Sequence, residues 1–456
     1  MTNGAPQRSS IFTGLLLIFL GFLFLLQRFE PQLGIGHLIR RYWPLLLIVW
    51  GIAKLIDHFS TSRTGEGRPP ILSGPEAALL ILIVAVLIGM SFSDWFPSFI
   101  STRFHGDSDD DISIFGRRYS ESQEISKKAI PAGAHVVIRT GRGNITVHAS
   151  SGNDLRVTAS ESASGSSEEA ARDHLKNVKV VIEESSRSFE VHPVHQDDAE
   201  GHVSVDLDVS VPNQALVWTN TRLGDISISG TTGAISAAPE HGDVEIHDAA
   251  DVSVQMQKGD VRIGDILGNL KLTGTGNDLD ISNIAGDAAV SGDFFGTIRI
   301  RNVAKTTRYT SQRSDLTIVK MTGLLELDSG DLRLSDVAGL AKLNTNDKDL
   351  EVENVAGKLN IEDTHGDIQV SFSQPPREDV SISNGTGDVD LTLPSRSTFE
   401  ISAVSHKGEA RSEFEQGQLE PINDSGTGRL NGKIGAQGPK ITIITNYGTI
   451  TLHKSS

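Results

Sequence analysis

Hydrophobic positions follow two different patterns along this chain, and the change comes near residue 100. Before it they form unbroken runs, at residues 11–29, 43–57 and 77–96, interrupted only by short polar turns. Runs of this length with few charges predict α-helical transmembrane spans, the second closing on Lys54, whose long stem can lift its ammonium to the interface. No small-residue cleavage site follows Leu26, so the first run reads as a span and not as a cleaved signal peptide. Arg8, Lys54, Arg63 and Arg68 would lie on one side of the bilayer and Arg28, Arg40 and Arg41 on the other. That balance predicts an N-terminus inside, placing everything after Pro97 outside the cytoplasm.

After residue 120 apolar and polar residues alternate in short stretches, the period of a half-buried strand. A unit of Gly-Asp followed by apolar-x-apolar recurs: GDISI at Gly224, GDVEI at Gly242, GDVRI at Gly259, NDLDI at Asn277, GTIRI at Gly296, SDLTI at Ser314, GDLRL at Gly330, KDLEV at Lys348, GDIQV at Gly366 and GDVDL at Gly387. The spacing averages about 18 residues, and a weaker strand lies between most copies, such as DVSV at Asp251, NLKL at Asn269 and LLEL at Leu324. A five-residue strand with one apolar face cannot stand alone, whereas stacked coils bury a continuous core. The expected fold class is therefore an all-β parallel β-solenoid with two short strands per rung, preceded by an α-helical transmembrane region of about three helices. The expected division is a transmembrane region at 1–96, an acidic linker at 97–120 carrying the Asp107 to Asp111 cluster, and the solenoid at 121–454.

Within each unit the glycine is expected at a corner requiring positive φ, and the aspartate is expected to bond its own backbone there. The outward residue of each main strand should form a ladder running Ser227, Glu245, Arg262, Asp280, Arg299, Thr317, Arg333, Glu351, Gln369, Asp390. Before the repeats, the segment from Ser166 predicts a short helix, with Ser166 and Glu169 at capping-box spacing.

Charge narrows the functional classes. The first hundred residues carry a net +2 and the rest −19, so the body would repel phosphate backbones and nucleic acid is not an expected partner. The chain has no cysteine, which removes disulfides, thiolate metal sites and cysteine nucleophiles. His192, His195, Asp197 and Asp198 lie close enough in sequence to converge on a divalent ion. Residues three apart on a strand face opposite ways, and Pro193 breaks the regularity, so a strand end running into a polar loop accounts for them equally well. Asp278 with Asp280, or Asp388 with Asp390, could serve as the paired carboxylates of a polysaccharide-cleaving enzyme. Both pairs coincide with positions repeated in every rung, and no catalytic, cofactor or metal residue is assigned.

Two resemblances follow from these motifs. GLLLIFLGFLFLL and YWPLLLIVWGIAKLI, over about residues 11–57, resemble the transmembrane region of the bacterial LiaI and LiaF envelope-stress proteins. VDLDVSVPNQALVWTNTRLGDISISG, the Gly-Asp units and the closing NYGTITLHK resemble a bacterial domain family of unknown function labelled "putative adhesin", over about residues 121–454. The second resemblance implies a β-solenoid in an envelope protein and brings no catalytic residues. Together they imply a non-enzymatic protein integral to the cytoplasmic membrane, presenting an extracytoplasmic β-solenoid for surface interaction or envelope-stress sensing. Its partners would be the lipid bilayer and an envelope component or membrane sensor protein. The alternatives are a membrane-tethered polysaccharide enzyme and a LiaF-like regulator of a sensor kinase.

Overall fold

Each repeat contributes one strand to each of two faces of a single wound sheet. The computed structural model describes residues 117–127, 130–165, 167–195, 203–414 and 419–456. On the first face the strands Ile145–Ser150, Ile226–Ser229, Val244–Ala249, Val261–Ile266 and Leu279–Ile284 stack in parallel register. On the second face Leu216–Leu223, Ile235–His241, Val252–Met256, Leu270–Gly274 and Ala288–Ser291 do the same. The alternation dictates what is inside: Val261, Ile263, Leu270 and Leu272 are at most 1% exposed, and the same positions one rung on are filled by Leu279, Ile281, Ala288 and Val290.

Two corner devices hold the winding. Gly224, Gly242, Gly259, Gly366, Gly387 and Gly448 have φ between 132° and 151°, in the region that disfavours any side chain. A Cβ built on Gly259 would stand 2.0 Å from the carbonyl oxygen of Gly242 in the rung beneath. At the end of six first-face strands an Asp or Asn takes the left-handed conformation: Asp248, Asp265, Asn283, Asn302, Asp336 and Asn354 have φ of 52° to 58°. These residues tolerate that geometry because their short polar side chains bond locally. Here they bond one another as well, Asn283 Nδ2 donating to Asp265 Oδ1 at 2.9 Å and Asn302 Nδ2 to Asn283 Oδ1 at 3.0 Å.

Midway the winding direction reverses. Strand Ile298–Thr310 crosses both faces without a break, turns at residues 311–313, and returns antiparallel to itself as Ser314–Leu327. A second turn follows, in which Asp328 Oδ1 accepts from the backbone N–H groups of Gly330 and Asp331 at 2.9 and 2.8 Å. Those two bonds hold its carboxyl below the usual carboxylate range. Beyond the turn the parallel stacks resume on both faces, starting with Asp331–Val337 and Ala341–Thr345.

Further antiparallel pairs close the ends. Arg117–Lys127 pairs with Leu155–Gly165, which pairs in turn with Val203–Pro212. Val178–Ser185 pairs with Ser188–His195, and helix α1, Glu168–Lys176, packs on Leu155–Gly165 with Ala171 and Leu175 buried. At the other end Phe399–Lys407 lies parallel to Lys440–Tyr447 and antiparallel to Thr427–Ile434, whose far edge carries Leu419–Asp424.

The fold class expected from sequence is therefore corrected. The sheet is mixed and solenoid-like, not a uniform parallel coil, because one rung and both ends are built from hairpins. α1 is nine residues long, and no helix among the described residues is long and apolar enough to cross a membrane. The spans expected at 11–29, 43–57 and 77–96 and the Asp107 to Asp111 cluster lie outside the described residues. The helix cap differs too: Ser167, not Ser166, is the N-cap, its Oγ accepting from Ala170 N–H at 3.2 Å. The outward ladder steps from Arg299 to Glu326 and then to Arg333, while Thr317 lies on the second face between Arg308 and Lys342.

Candidate functional site

The repeated aspartates are engaged between rungs. Asp243 N–H donates to Asp225 Oδ1 at 2.8 Å, Asp260 N–H to Asp243 Oδ1 at 2.8 Å, and Asp278 N–H to Asp260 Oδ1 at 3.2 Å. Thr297 N–H donates to Asp278 Oδ1 at 2.8 Å, and in the second half Asp388 Oδ1 accepts from Thr449 N–H at 2.7 Å. Each carboxylate thus satisfies a corner amide of the next rung instead of its own backbone. Such charge-assisted bonds are worth about 1.5–3 kcal/mol, reduced where solvent competes. The other members of the nominated pairs are also occupied: Asp280 meets the Arg301 guanidinium at 2.6 Å, and Asp390 lies 3.4 Å from His453 Nε2. Neither pair is left as two free carboxylates flanking a cleft.

The histidine motif is only partly within the described residues. His192 sits opposite Val181 and His195 opposite Val178 on the strand Ser188–His195, while Asp197 and Asp198 lie outside the described residues. His192 Nε2 is 3.8 Å from Glu183, and its buried Nδ1 has no hydrogen-bond partner. Among the described residues no group of three or more His, Asp or Glu side chains could hold a metal ion.

The two outer faces differ in character. On the first, Arg299 pairs with Glu326 at 2.9 Å and Arg333 with Glu351 at 3.1 Å, an exposed ladder of ion pairs. Each such pair contributes about 0–1 kcal/mol, so this face is a solvated wall that leaves few charges unmatched. On the second face, Asn360, Ser381, Thr442 and Ser402 occupy one register row across four adjacent strands. The side chains of Asn360, Ser381 and Thr442 form the floor of a groove of about 340 Å³, with Lys358 and Lys440 on one side and Glu362 on the other.

The groove is balanced in charge, because Asp379 lies between the two lysines and accepts the Lys440 backbone N–H at 2.8 Å. Among the described residues, no side-chain hydrogen bond or ion pair engages Asn360, Ser381, Thr442, Glu362, Lys358 or Lys440. The next row holds Ile444, 40% exposed, followed by Val404, Arg429 and Ile422, the last 60% exposed. Hydroxyls and an amide therefore lie beside exposed aliphatic surface. Sequence reasoning did not find this groove. The run of Ser and Thr at outward positions was its only signal, and the pairing that assembles the floor joins Ser381 to Thr442 across an inserted hairpin.

Comparison with known proteins bears out both resemblances read in the sequence. Residues 288–453 match the Toastrack DUF4097 family, and residues 11–55 match the LiaI-LiaF-like transmembrane region. None of the curated proteins matches the chain. Among solved structures, a putative cell adhesion protein from Clostridium sporogenes is 10% identical, with 74% of this chain and 100% of that one covered and a TM-score of 0.15. A putative adhesin from Bacteroides fragilis is 11% identical, with 73% and 97% covered and a TM-score of 0.21. A putative lipid binding protein from Parabacteroides distasonis is 10% identical, with 74% and 97% covered and a TM-score of 0.25. Superpositions this poor transfer no function.

Proposed function

We propose that the chain is a non-enzymatic, membrane-anchored envelope protein whose wound sheet binds a neutral, hydroxyl-rich envelope or surface glycan along the second-face groove. In this reading residues 1–96 anchor the protein in the cytoplasmic membrane, 97–120 form an acidic linker, and 121–454 present the sheet outside the cell. The membrane match over residues 11–55 supports the anchor. One observation carries the binding role: the polar side chains of the groove are unengaged, while the carboxylates that would serve an enzyme are bonded into the rungs.

Sugars present hydroxyl edges and C–H faces together, which suits a floor of Asn360, Ser381 and Thr442 beside Ile444. Short hydroxyl side chains also lose little rotamer freedom on binding. Rungs about 4.8 Å apart let successive sugar units meet successive rungs if the polymer runs along the stack. The balanced charge disfavours nucleic acid and strongly anionic polymers.

The test is co-sedimentation of the full chain, in detergent, with purified cell-wall polysaccharide, alongside a variant with the groove filled by Ser381→Arg and Thr442→Arg. Binding by the parent and a loss of tenfold or more in the variant supports the reading; equal binding, or none by the parent, overturns it. External protease added to intact spheroplasts tests the topology, since cleavage of the sheet is expected before lysis. The match to the LiaI-LiaF-like region also favours a second reading, regulation of a sensor kinase through the membrane segment. Loss of a stress response on deleting residues 1–96, with the wound sheet intact, would support it.

A further inference from the structure

We infer that strand Arg117–Lys127 is held to the sheet by a proton-operated clasp, in which neutral Glu161 keeps the strand docked and ionised Glu161 releases it. The inference is independent of the groove and of its ligand.

Alternation along Leu155–Gly165 puts Leu155, Val157, Ala159, Glu161 and Ala163 on the inward row, so a carboxyl stands where its neighbours are aliphatic. Glu161 is only 6% exposed, and its Oε1 has no hydrogen-bond partner. Directly opposite it, in an antiparallel pairing that keeps register over the whole of Arg117–Lys127, stands Glu121. Opposed residues in such a pair hold their Cβ atoms about 5 Å apart, so the exposed Glu121 carboxyl stands on the same side of the pair as the buried one.

Among the described residues, no cation is paired with Glu161. Val205 faces Glu161 from the strand on its other side, and the neighbouring Asp206 instead accepts the Asn144 backbone N–H at 2.7 Å. On α1, Arg172 pairs with Glu168 and stacks over the Tyr119 ring at 4.7 Å, Lys176 pairs with Asp173, and the charge of His174 acts on Asp173 as well. Glu169 adds only negative charge there. Lys127, at the far end of the strand, pairs with Glu184 of Val178–Ser185 at 2.5 Å.

Burial first, and then the charge of Glu121, push the Glu161 carboxyl up to about 7 from an ordinary 4.5. A released strand would return it toward the ordinary value. Docking therefore takes up a proton between these two values: the clasp is fully closed below pH 4.5 and weakens as the pH rises through 7. The difference corresponds to an opening equilibrium that rises by up to about 300-fold across that window. Arg117–Lys127 is the first strand in chain order among the described residues, and its release would leave Leu155–Gly165 at the edge of the sheet.

The test is hydrogen exchange with mass-spectrometric readout on the full chain in detergent between pH 5 and 8.5, corrected for the intrinsic pH dependence of exchange. Protection of peptides covering 117–127 is expected to fall by one to two orders of magnitude, while peptides covering 261–284 stay constant. Glu161→Gln should keep the strand protected at every pH, and Glu121→Gln should move the midpoint to lower pH, because the charge that helps raise the Glu161 carboxyl is gone. A parent strand with flat protection, an undiminished pH response in Glu161→Gln, or a Glu121→Gln midpoint that fails to fall would each overturn the clasp. If Glu161→Gln does not fold, the parent profile and Glu121→Gln still decide the matter.

Discussion

Replacing Gly259 by alanine tests the corner geometry on which the winding depends. Gly259 has φ of 139°, a conformation that strains any residue with a Cβ by about 1–3 kcal/mol. The added carbon would stand 2.0 Å from the Gly242 carbonyl oxygen and 2.6 Å from its carbon, whereas real Cβ atoms do not come within 3.0 Å of such neighbours. Relief requires the rungs to part by about an ångström at this corner. That stretches the bond from Gly242 N–H to the Lys258 carbonyl, 3.0 Å, and the bond from Asp260 N–H to Asp243 Oδ1, 2.8 Å. Weakening these adds about 1–3 kcal/mol, for a total of about 2–6 kcal/mol. The assay is urea unfolding of the full chain in detergent, followed by far-ultraviolet circular dichroism. Gly330→Ala is the control, because an added Cβ there meets nothing within 4 Å and the backbone is not in the left-handed region. Since each rung touches only its neighbours, the defect is expected to split the transition as well as lower its midpoint. A Gly259→Ala curve that overlays the Gly330→Ala curve would refute the reasoning.

Two further substitutions probe the polar framework. Asp243→Ala, which removes the acceptor for Asp260 N–H, is expected to destabilise by about 1–2 kcal/mol in the same unfolding assay. Asp243→Asn should recover most of the loss, because Asn144 Oδ1 already performs this role for Asp225 N–H at 2.9 Å. Asp328→Ala should cost about 1 kcal/mol, its exposed carboxylate being partly screened. Because the turn holds the Asp328 carboxyl below its ordinary 3.8, this stabilisation is present above that pH and is lost as the pH falls through the lowered value. Acid titration of parent and variant should accordingly converge at the acid end; curves that stay parallel would exclude the turn as the source.

The repeat, its buried positions and the corners at Gly224, Gly242, Gly259, Gly366 and Gly387 were legible because they depend on spacing and alternation, which a linear sequence records, whereas Gly296 and Gly330 stand at the same motif position without a positive φ. The reversal at Ile298–Thr310 and Ser314–Leu327 was not, since a period of two reads the same in either direction. SDLTI at Ser314 keeps the spacing of the repeat, yet its strand begins on the second face, and LLEL at Leu324 belongs to the first. A signal was present: no Gly or Pro interrupts the 13 residues of Ile298–Thr310, about twice the length of most neighbouring strands. The inter-rung role of the aspartates was hidden because a carboxylate at a turn can bond its own backbone or a neighbour's, and only stacking decides. Glu161 was legible in principle, as the acidic member of an otherwise apolar row. The groove was not, because its floor joins strands that the hairpins of residues 399–434 separate in sequence.

The reversed strand also sets the order in which the chain can assemble. Each parallel rung must close a loop of about 18 residues before its first contact forms, whereas Ile298–Thr310 meets Ser314–Leu327 across a turn of three residues. Local contacts form fastest, on the microsecond scale for a hairpin. This meander, with Asp331–Val337 added at its far side, is therefore the natural nucleus of the parallel stacks, already offering an edge on each face to the strands before and after it. Growth then proceeds outward from the middle toward both ends, so that the first strand after the membrane segment is among the last to dock.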